Sequence, residues 1–234
     1  MMKEGLTQEQ AVDRIFLFDS HGLVTKDREG LTPLKQKFAH EQEPQSTFLD
    51  AIGEVKPTAI VGCAAQAGSF NAYVLSAMAR INERPIIFAL SNPTSRSECT
   101  AREAYTYTEG KCLFASGSPF PQVEVNGKTF IPRQSNNSYV FPGIGLGLVV
   151  SSPRIVPQSV FLSAAEALSK IVSEDDLENG SLFPSLTKIR EVSQSIAAAV
   201  AEQCFTAGVA GVPKPDDLSK AIQEAMYKPV YDRI

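Results

Sequence analysis

The feature that most constrains the fold is an alternation of short apolar segments with helical patterns. Apolar runs that predict buried strands lie at residues 58–64, 85–90 and 112–116. Helical patterns separate these runs, at residues 71–81 and 100–109. Because a helix between two strands returns the chain to the end where the first strand began, such strands pair in parallel. The sequence therefore predicts an α/β fold built on a doubly wound parallel sheet.

An earlier apolar run, residues 14–19, predicts another strand, which ends at Asp19. Its apolar residues are continuous, as is usual in a parallel strand. In a unit that binds a dinucleotide, a strand ending in Asp is normally the second one, and a first strand with a glycine-rich turn lies about 20 residues earlier. No G-x-G-x-x-G pattern occurs near the start of this chain. We therefore predict that the sheet lacks its first strand and that the chain is the carboxyl-terminal piece of a longer protein.

The second half of the chain predicts a hairpin followed by helices. Residues 123–130 alternate in polarity around Asn126-Gly127, a pair that favours a tight hairpin turn. Helices are predicted beyond it at residues 160–172, 186–204 and 218–227. We assign residues 1–234 to one partial domain, in which residues 157–234 form a helical carboxyl-terminal layer.

Composition excludes several classes of function. A net charge of -4 and no Lys/Arg cluster argue against a nucleic-acid partner. No apolar run reaches the roughly 18 residues of a membrane span, so no membrane partner is expected. The four cysteines form no C-x-x-C pair, which argues against zinc, and Cys63 and Cys112 lie in apolar patterns typical of buried thiols. We expect a reducing compartment, the cytoplasm, with the mitochondrial matrix as the alternative.

Two asparagine motifs are candidate binding sites. An apolar strand directly precedes Ser91-Asn92-Pro93, so Asn92 lies where the carboxyl ends of parallel strands line a binding crevice, and Pro93 ends the pairing and fixes the loop. Asn136 and Asn137 lie beside Tyr139. Carboxamides donate and accept hydrogen bonds without charge, which suits hydroxyl, carboxylate or amide groups of a ligand. Each motif is also compatible with an Asx-rich structural turn.

Asp19 is the candidate for the adenosine end of a dinucleotide. A carboxylate after the second strand can accept both hydrogen bonds from a ribose diol. It would repel the 2'-phosphate of NADP unless neighbours offset its charge, and Ser20 and Lys37 could supply a hydroxyl and a cation. From spacing alone, a solvated surface lysine is an equally good interpretation of Lys37.

Three motifs carry a resemblance to a known family. SNPT at residues 91–94, FASGSPF at residues 114–120 and SNNSYVFPG at residues 135–143 resemble the carboxyl-terminal dinucleotide-binding domain of malic enzymes, and the resemblance runs over nearly the whole chain. It implies a Rossmann-like sheet. For the full-length parent, it implies oxidative decarboxylation of (S)-malate to pyruvate and CO2 with reduction of NADP, or alternatively of NAD.

The same resemblance implies roles for individual residues. Asn92 and Asn137, with Asn136 close by, match positions that hold malate and the nicotinamide ribose. Malic enzymes that prefer NADP carry a Ser and a Lys at the places of Ser20 and Lys37, so the resemblance favours NADP.

The family's proton-transfer and metal-binding residues precede the dinucleotide loop, so we expect no catalytic or metal-binding residue here. The resemblance places Mg or Mn only in the parent, and the chain alone is expected to be inactive. Since the family assembles as tetramers, the chain is expected to form a homo-oligomer or a mixed oligomer. The alternatives are a non-catalytic module that pairs with full-length subunits, or an unstable product without function.

Overall fold

A computed structural model describes residues 1–228 of the chain. The chain divides into two compact units, Met1–Thr129 (unit 1) and Phe130–Ile234 (unit 2). Among the described residues, no helix combines the length and apolar character needed to cross a membrane.

Unit 1 contains the described strands other than β8, and the first five α-helices. Its strands are β1 (Phe18–Asp19), β2 (Gly22–Leu23), β3 (Ala59–Gly62), β4 (Ile86–Ala89), β5 (Leu113–Ser116), β6 (Val123–Val125) and β7 (Lys128–Phe130), the last of which ends on the first residue of unit 2. Its α-helices are α1 (Gln8–Val12), α2 (Pro33–Lys37), α3 (Phe48–Val55), α4 (Ala72–Ile81) and α5 (Ala101–Tyr107). Short 3-10 helices occur at Met2–Glu4 and Thr94–Arg96.

The predicted parallel sheet is present in unit 1. Strand β3 pairs in parallel with β4, and β4 pairs in parallel with β5. Ile87 and Phe114 are fully buried partners in this register, which anchors the sheet in the core. Helix α4 begins at the Asn71 cap and buries Val74, Leu75 and Met78, so the predicted helix between the first two strands is confirmed. The α/β fold class is confirmed by these crossovers.

The prediction for residues 14–19 was wrong in its pairing. Only Phe18 and Asp19 form a strand, and it pairs antiparallel with Gly22 and Leu23 in a separate two-stranded sheet. The backbone of Gly22 has φ +99°, a conformation that L side chains rarely adopt and glycine adopts easily. The tight turn at Ser20-His21 therefore folds the chain back on itself immediately after Asp19.

Cys63 also departs from its predicted environment. It lies just beyond β3 and is exposed, whereas Cys112 is buried as expected. Strand β3 itself alternates, with Ile60 and Gly62 buried and Val61 56% exposed. An apolar run in the sequence does not distinguish a strand buried on both faces from one that is covered on a single face.

The hairpin at residues 123–130 is confirmed. Strands β6 and β7 form a two-stranded sheet around Asn126 and Gly127, which have φ angles of 52° and 76°. Positive φ at both central residues matches the right-handed twist of a two-residue hairpin, and asparagine followed by glycine adopts it at low cost.

Unit 2 is helical apart from one short strand, β8 (Arg133–Gln134). Its α-helices are α6 (Phe141–Ser151), α7 (Ser159–Ser169), α8 (Glu174–Glu178), α9 (Ile189–Thr206) and α10 (Leu218–Ala225), with 3-10 helices at Asn137–Tyr139 and Leu186–Lys188. The helices predicted within residues 157–234 are confirmed, but the unit that contains them begins earlier, at Phe130, because α6 packs on α9. Residues 229–234 of the predicted layer lie outside the described residues.

Helix α6 approaches α9 closely through two glycines. A Cβ at Gly143 would lie 2.6 Å from Cβ of Ile196, and a Cβ at Gly147 would lie 2.8 Å from Cβ of Val200. The absence of side chains at Gly143 and Gly147 lets the two helix backbones pack against each other. Gly145, by contrast, is exposed, and a Cβ there would meet nothing within 4 Å.

We expect Gly147→Ala to lower the free energy of unfolding by about 1 to 3 kcal/mol, because the added methyl group overpacks the contact with Val200. The matched control is Gly145→Ala, which adds the same methyl group to the same helix in open space and should stabilise the helix by up to about 1 kcal/mol. Urea unfolding of both variants measures the difference. If Gly147→Ala and Gly145→Ala change the free energy of unfolding with equal sign and size, the close packing of α6 on α9 is contradicted.

Candidate functional site

The register of the parallel strands brings their carboxyl ends to one edge of the sheet. Gly62, Ala89 and Ser116, the last residues of β3, β4 and β5, lie side by side in the same row. The segments that follow these residues therefore meet at this edge, which is where doubly wound sheets bind their ligands.

Asn92 lies at this edge and is exposed. Its Oδ1 accepts a hydrogen bond from Oγ of Ser118, which follows β5, at 2.7 Å. Gly117 allows the close approach, since a Cβ there would lie 2.8 Å from Nδ2 of Asn92. With its oxygen held by Ser118 and its Nδ2 donating to the carbonyl of Leu90 at 3.5 Å, the Asn92 carboxamide has a fixed orientation and keeps one amide N–H as a donor for a ligand.

A buried glutamate lies beneath the same loops. Glu98 is 1% exposed, and its carboxyl oxygens accept hydrogen bonds from Oγ and from the backbone N–H of Ser91, the latter at 3.3 Å. Ser91 Oγ in turn accepts a hydrogen bond from the backbone N–H of Ala65 at 2.8 Å. A Cβ at Gly62 would collide with the side chain of Glu98, so glycine at the end of β3 makes the space that Glu98 fills.

Asp19 is the centre of a charge cluster elsewhere in unit 1. Arg28 Nη2 lies 2.7 Å from both carboxylate oxygens, and Lys35 Nζ donates a further hydrogen bond to Oδ2. The backbone N–H of His21 donates to Oδ1 at 2.8 Å. One carboxylate therefore receives hydrogen bonds from two cations and from the turn that follows β1.

These contacts set the ionisation of Asp19. Partial burial by itself would raise the pKa of the carboxyl group, but hydrogen bonds from Lys35, Arg28 and the His21 backbone, with the charge of Arg28, hold the pKa well below its ordinary value. Asp19 is thus a carboxylate at neutral pH, and its side chain is only 22% exposed.

A cavity of about 230 Å³ adjoins this cluster. It is lined by His21, Arg28, Glu29, Gly30, Leu31, Thr32 and Lys35. The hydroxyl of Ser20 is exposed and lies 3.2 Å from Nδ1 of His21, next to the cavity. Lys37 is exposed, with its Nζ 5.6 Å from the ring centroid of Phe38. The cations that the structure places on Asp19 are Arg28 and Lys35, which sequence reasoning did not name.

The second pair of asparagines lies in unit 2. Oδ1 of Asn136 accepts a hydrogen bond from the backbone N–H of Ser138 at 2.9 Å and so caps the 3-10 turn Asn137–Tyr139. Tyr139 is 1% exposed, its ring stacks on Phe183, and its hydroxyl donates to the carbonyl of Pro184 at 2.6 Å. The turn is therefore anchored from below, while both asparagines are exposed on top of it.

The described residues do not fit a metal ion. Among residues 1–228, no group of three or more His, Cys, Asp or Glu side chains could hold one. Of the cysteines, Cys112 is buried, and burial raises its pKa to about 12, which keeps the thiol protonated.

The residues that sequence reasoning missed share one property. Arg28, Lys35 and Glu98 are each brought to their partners by tertiary folding rather than by a local motif. The spacing of Lys35 and Lys37, two positions apart in a short helix, gives no sign of which lysine faces Asp19. For Glu98, the glycine at position 62 is the only trace in the sequence of the space that it occupies.

A model of the family described as malic enzyme, NAD binding domain, matches residues 1–205. The chain is 48% identical to the chloroplastic NADP-dependent malic enzyme of Zea mays, over 95% of this chain and 35% of that protein. It is 46% identical to the mitochondrial NAD-dependent malic enzyme of Ascaris suum, over 100% of this chain and 36% of that protein. The NADP-dependent malic enzyme of Homo sapiens is 46% identical, over 99% of this chain and 41% of that protein.

The chain thus spans well under half the length of these relatives. Among solved structures, it resembles the malic enzyme of Entamoeba histolytica with a TM-score of 0.67 and 23% identity, over 91% of this chain and 43% of that one. At this identity the similarity shows the fold, a Rossmann-type domain.

We expect Asp19→Asn to lower the free energy of unfolding near neutral pH by roughly 1.5 to 3 kcal/mol, since the charge-assisted hydrogen bonds to Arg28 and Lys35 are lost. Because the folded pKa of Asp19 is lowered, its stabilising effect is complete above the unfolded pKa of about 4 and declines as the pH falls towards the folded pKa. The difference in the free energy of unfolding between the wild type and Asp19→Asn should therefore become smaller below about pH 4.

Urea unfolding at a series of pH values measures this gap. Asp13→Asn is the control, since it makes the same substitution at an exposed position after α1. A gap for Asp19→Asn that is independent of pH, or that matches the control, would exclude the charge cluster as its source.

Proposed function

The chain belongs to the malic enzyme family through its NAD-binding domain, and on this premise we propose that it binds NADP in preference to NAD. We further propose that it forms the dinucleotide-binding part of a protein that converts malate to pyruvate and CO2. The observation that carries the choice of NADP is the cluster of two cations on Asp19 beside a cavity.

A 2'-phosphate fits this cluster better than a bare ribose diol does. The oxygens of Asp19 already accept hydrogen bonds from Arg28, Lys35 and His21, so they are poorly placed to accept two more from a diol. The cations have donors to spare, since a guanidinium carries five N–H donors and an ammonium three. Glu29 adds a second carboxylate to the lining of the cavity, so the proposal rests on the spare donors of Arg28 and Lys35, with the Ser20 hydroxyl as a further donor, and not on an excess of positive charge.

The asparagines are proposed to act at the nicotinamide end. The orientation of Asn92, with Oδ1 held by Ser118, supports a role as donor to an oxygen of malate or of the nicotinamide ribose. Asn137 is exposed on the anchored turn and is proposed to bind the same groups, with Asn136 supporting the turn. Bound NADP would supply the acceptor for the hydride that leaves malate.

The rest of the chemistry is proposed to reside in other segments of the longer protein. Since the described residues do not fit a metal ion, we assign no step to Mg or Mn in this chain. The 234-residue chain is therefore proposed to be inactive by itself. The cytoplasm is the compartment that we propose, with the mitochondrial matrix as the alternative.

A second function, a non-catalytic module that pairs with full-length subunits, is supported by apolar side chains on the surface of unit 2. Phe141 and Val149 on α6 are 57% and 72% exposed, and Phe161 on α7 is 51% exposed. Co-expression with a full-length malic enzyme, followed by size analysis, tests it. A mixed tetramer would support the module, whereas aggregation of the chain alone would support an unstable product.

We expect the chain to bind NADP more tightly than NAD and Lys35→Ala to remove most of the preference. Loss of one charge-assisted hydrogen bond, worth about 1.5 to 3 kcal/mol, corresponds to roughly a tenfold weakening or more. Lys37→Ala is the matched control, because it removes the same charge from the same helix two residues away. Calorimetric titration measures the affinities of the wild type, Lys35→Ala and Lys37→Ala for NADP and for NAD. Equal affinity of the wild type for both cofactors would refute the proposal, and a loss confined to Lys37→Ala would transfer the role to Lys37.

We expect no malate-dependent reduction of NADP by the purified chain with Mg or Mn. The physical reason is that the reaction needs a cation to stabilise the enolate and groups to transfer protons, which the described residues do not assemble. Absorbance at the NADPH band follows the reaction. A rate above background that survives repurification and disappears on heating the protein would overturn this expectation.

A further inference from the structure

Glu98 is a buried acidic residue for which the proposed function has no role. It lies in the segment between the 3-10 helix Thr94–Arg96 and α5, and it is 1% exposed. Burying a carboxyl group is costly unless its oxygens are hydrogen-bonded, and both oxygens of Glu98 are bonded to the same residue, Ser91. Burial of this carboxyl group costs free energy, and both of its oxygens bond to one residue of one loop. The position of Glu98 therefore needs an explanation.

The contacts of Glu98 connect two loops at the carboxyl edge of the sheet, the loop after β3 and the loop after β4. Its side chain holds Ser91, which follows β4, and through Ser91 Oγ it reaches the backbone N–H of Ala65, which follows β3. Its backbone carbonyl accepts a hydrogen bond from the N–H of Phe70 at 3.0 Å. One residue therefore fixes both ends of the loop between β3 and α4 and the residue next to Asn92.

The packing around Glu98 leaves it little freedom. Its side chain lies against Gly62 at the end of β3, where a Cβ would also approach Cζ of Phe70 to 2.9 Å. Ala65 has φ +54°, an uncommon conformation for a residue with a side chain, and its N–H is the one that donates to Ser91. The hydrogen bond to Ser91 thus holds Ala65 in a backbone conformation that it would otherwise rarely adopt.

We propose that Glu98 is a positioning residue, which acts through Ser91 to hold Asn92 and the loop after β3 in the geometry that receives the dinucleotide. Asn92 is held from both sides in this arrangement, by Glu98 and Ser91 through its backbone and by Ser118 through its side chain. The inference rests on the proposed function, since it assigns the supporting structure of the same binding edge. Glu98 itself touches no ligand in this role.

The first test measures NADP affinity of the 234-residue chain by calorimetry, corrected for the folded fraction. Glu98→Ala should weaken NADP binding by about tenfold, because the buried hydrogen bonds that hold Ser91 are lost. Glu98→Gln keeps the shape and one acceptor for the Ser91 hydroxyl, so its affinity should lie between those of the wild type and Glu98→Ala. Ser91→Ala should weaken binding as Glu98→Ala does, and the double variant should be little worse than either, because both substitutions break the same bridge.

The control for general destabilisation is Met78→Ala. Met78 is fully buried on α4 and makes none of the contacts of the bridge, so its truncation lowers stability without releasing Ser91. Its NADP affinity per folded molecule should stay within about twofold of the wild type. If Glu98→Ala leaves the affinity unchanged, or if Met78→Ala weakens it equally, Glu98 has only a structural role.

The second test does not depend on ligand binding. Amide hydrogen exchange at Ala65 and Ser91 should be faster in Glu98→Ala than in the wild type. In Met78→Ala, compared at the same free energy of unfolding, the exchange rates of these two amides should equal those of the wild type. If the wild-type chain binds no NADP, the proposed function fails, and the exchange rates alone decide whether Glu98 holds the loops. Unchanged exchange at both amides in Glu98→Ala would overturn the inference in either case.

Discussion

The parallel register of β3, β4 and β5 is the constraint on which the proposed binding edge depends. Because Gly62, Ala89 and Ser116 end in one row, three loops are forced into the same small space. Residues without side chains relieve the crowding, at Gly62 beneath Glu98 and at Gly117 beside Asn92. The polar groups of the loops then satisfy one another, with Ser91 bonded to Glu98 and Ser118 bonded to Asn92. A shift of β4 by one residue against its neighbours would separate Glu98 from Gly62 and Asn92 from Ser118.

At the adenosine end of the proposed dinucleotide site, ion pairs determine the arrangement of the side chains. The hairpin turn at Ser20-His21 sends the chain back after Asp19, and the following segment returns Arg28 and Lys35 to its carboxylate. A conventional diol site needs a carboxylate with free acceptors. Here the carboxylate organises two cations, and this arrangement is our reason for proposing that Asp19 supports a phosphate site instead of binding the ribose itself.

The accuracy of the sequence predictions follows the range of the interactions involved. Helices such as α4, the Asn126-Gly127 hairpin and the parallel strands were predicted correctly, because their caps, turns and periodicities are local. The strand at residues 14–19 was not, because a tight turn at Ser20-His21, followed by Gly22 with a positive φ, reverses the chain. The bond of Lys35 to Asp19 and the packing of Glu98 against Gly62 arise from contacts between segments, which no short window of sequence contains. The site predictions for Asn92, Asn136, Asn137, Ser20 and Lys37 stay predictions until binding is measured.

The two interpretations of the asparagine motifs, structural turn and ligand site, prove to be compatible. Asn136 uses its side-chain oxygen to cap the turn that contains Asn137, which is the structural interpretation. That cap, with Tyr139 buried below and Gly143 packed on Ile196, fixes the position of Asn137, whose own carboxamide is exposed. Asn92 is fixed in a similar way by Ser118. In each motif, hydrogen bonds from neighbouring residues make the turn rigid, and rigidity is what lets an exposed carboxamide bind a ligand without first losing conformational entropy.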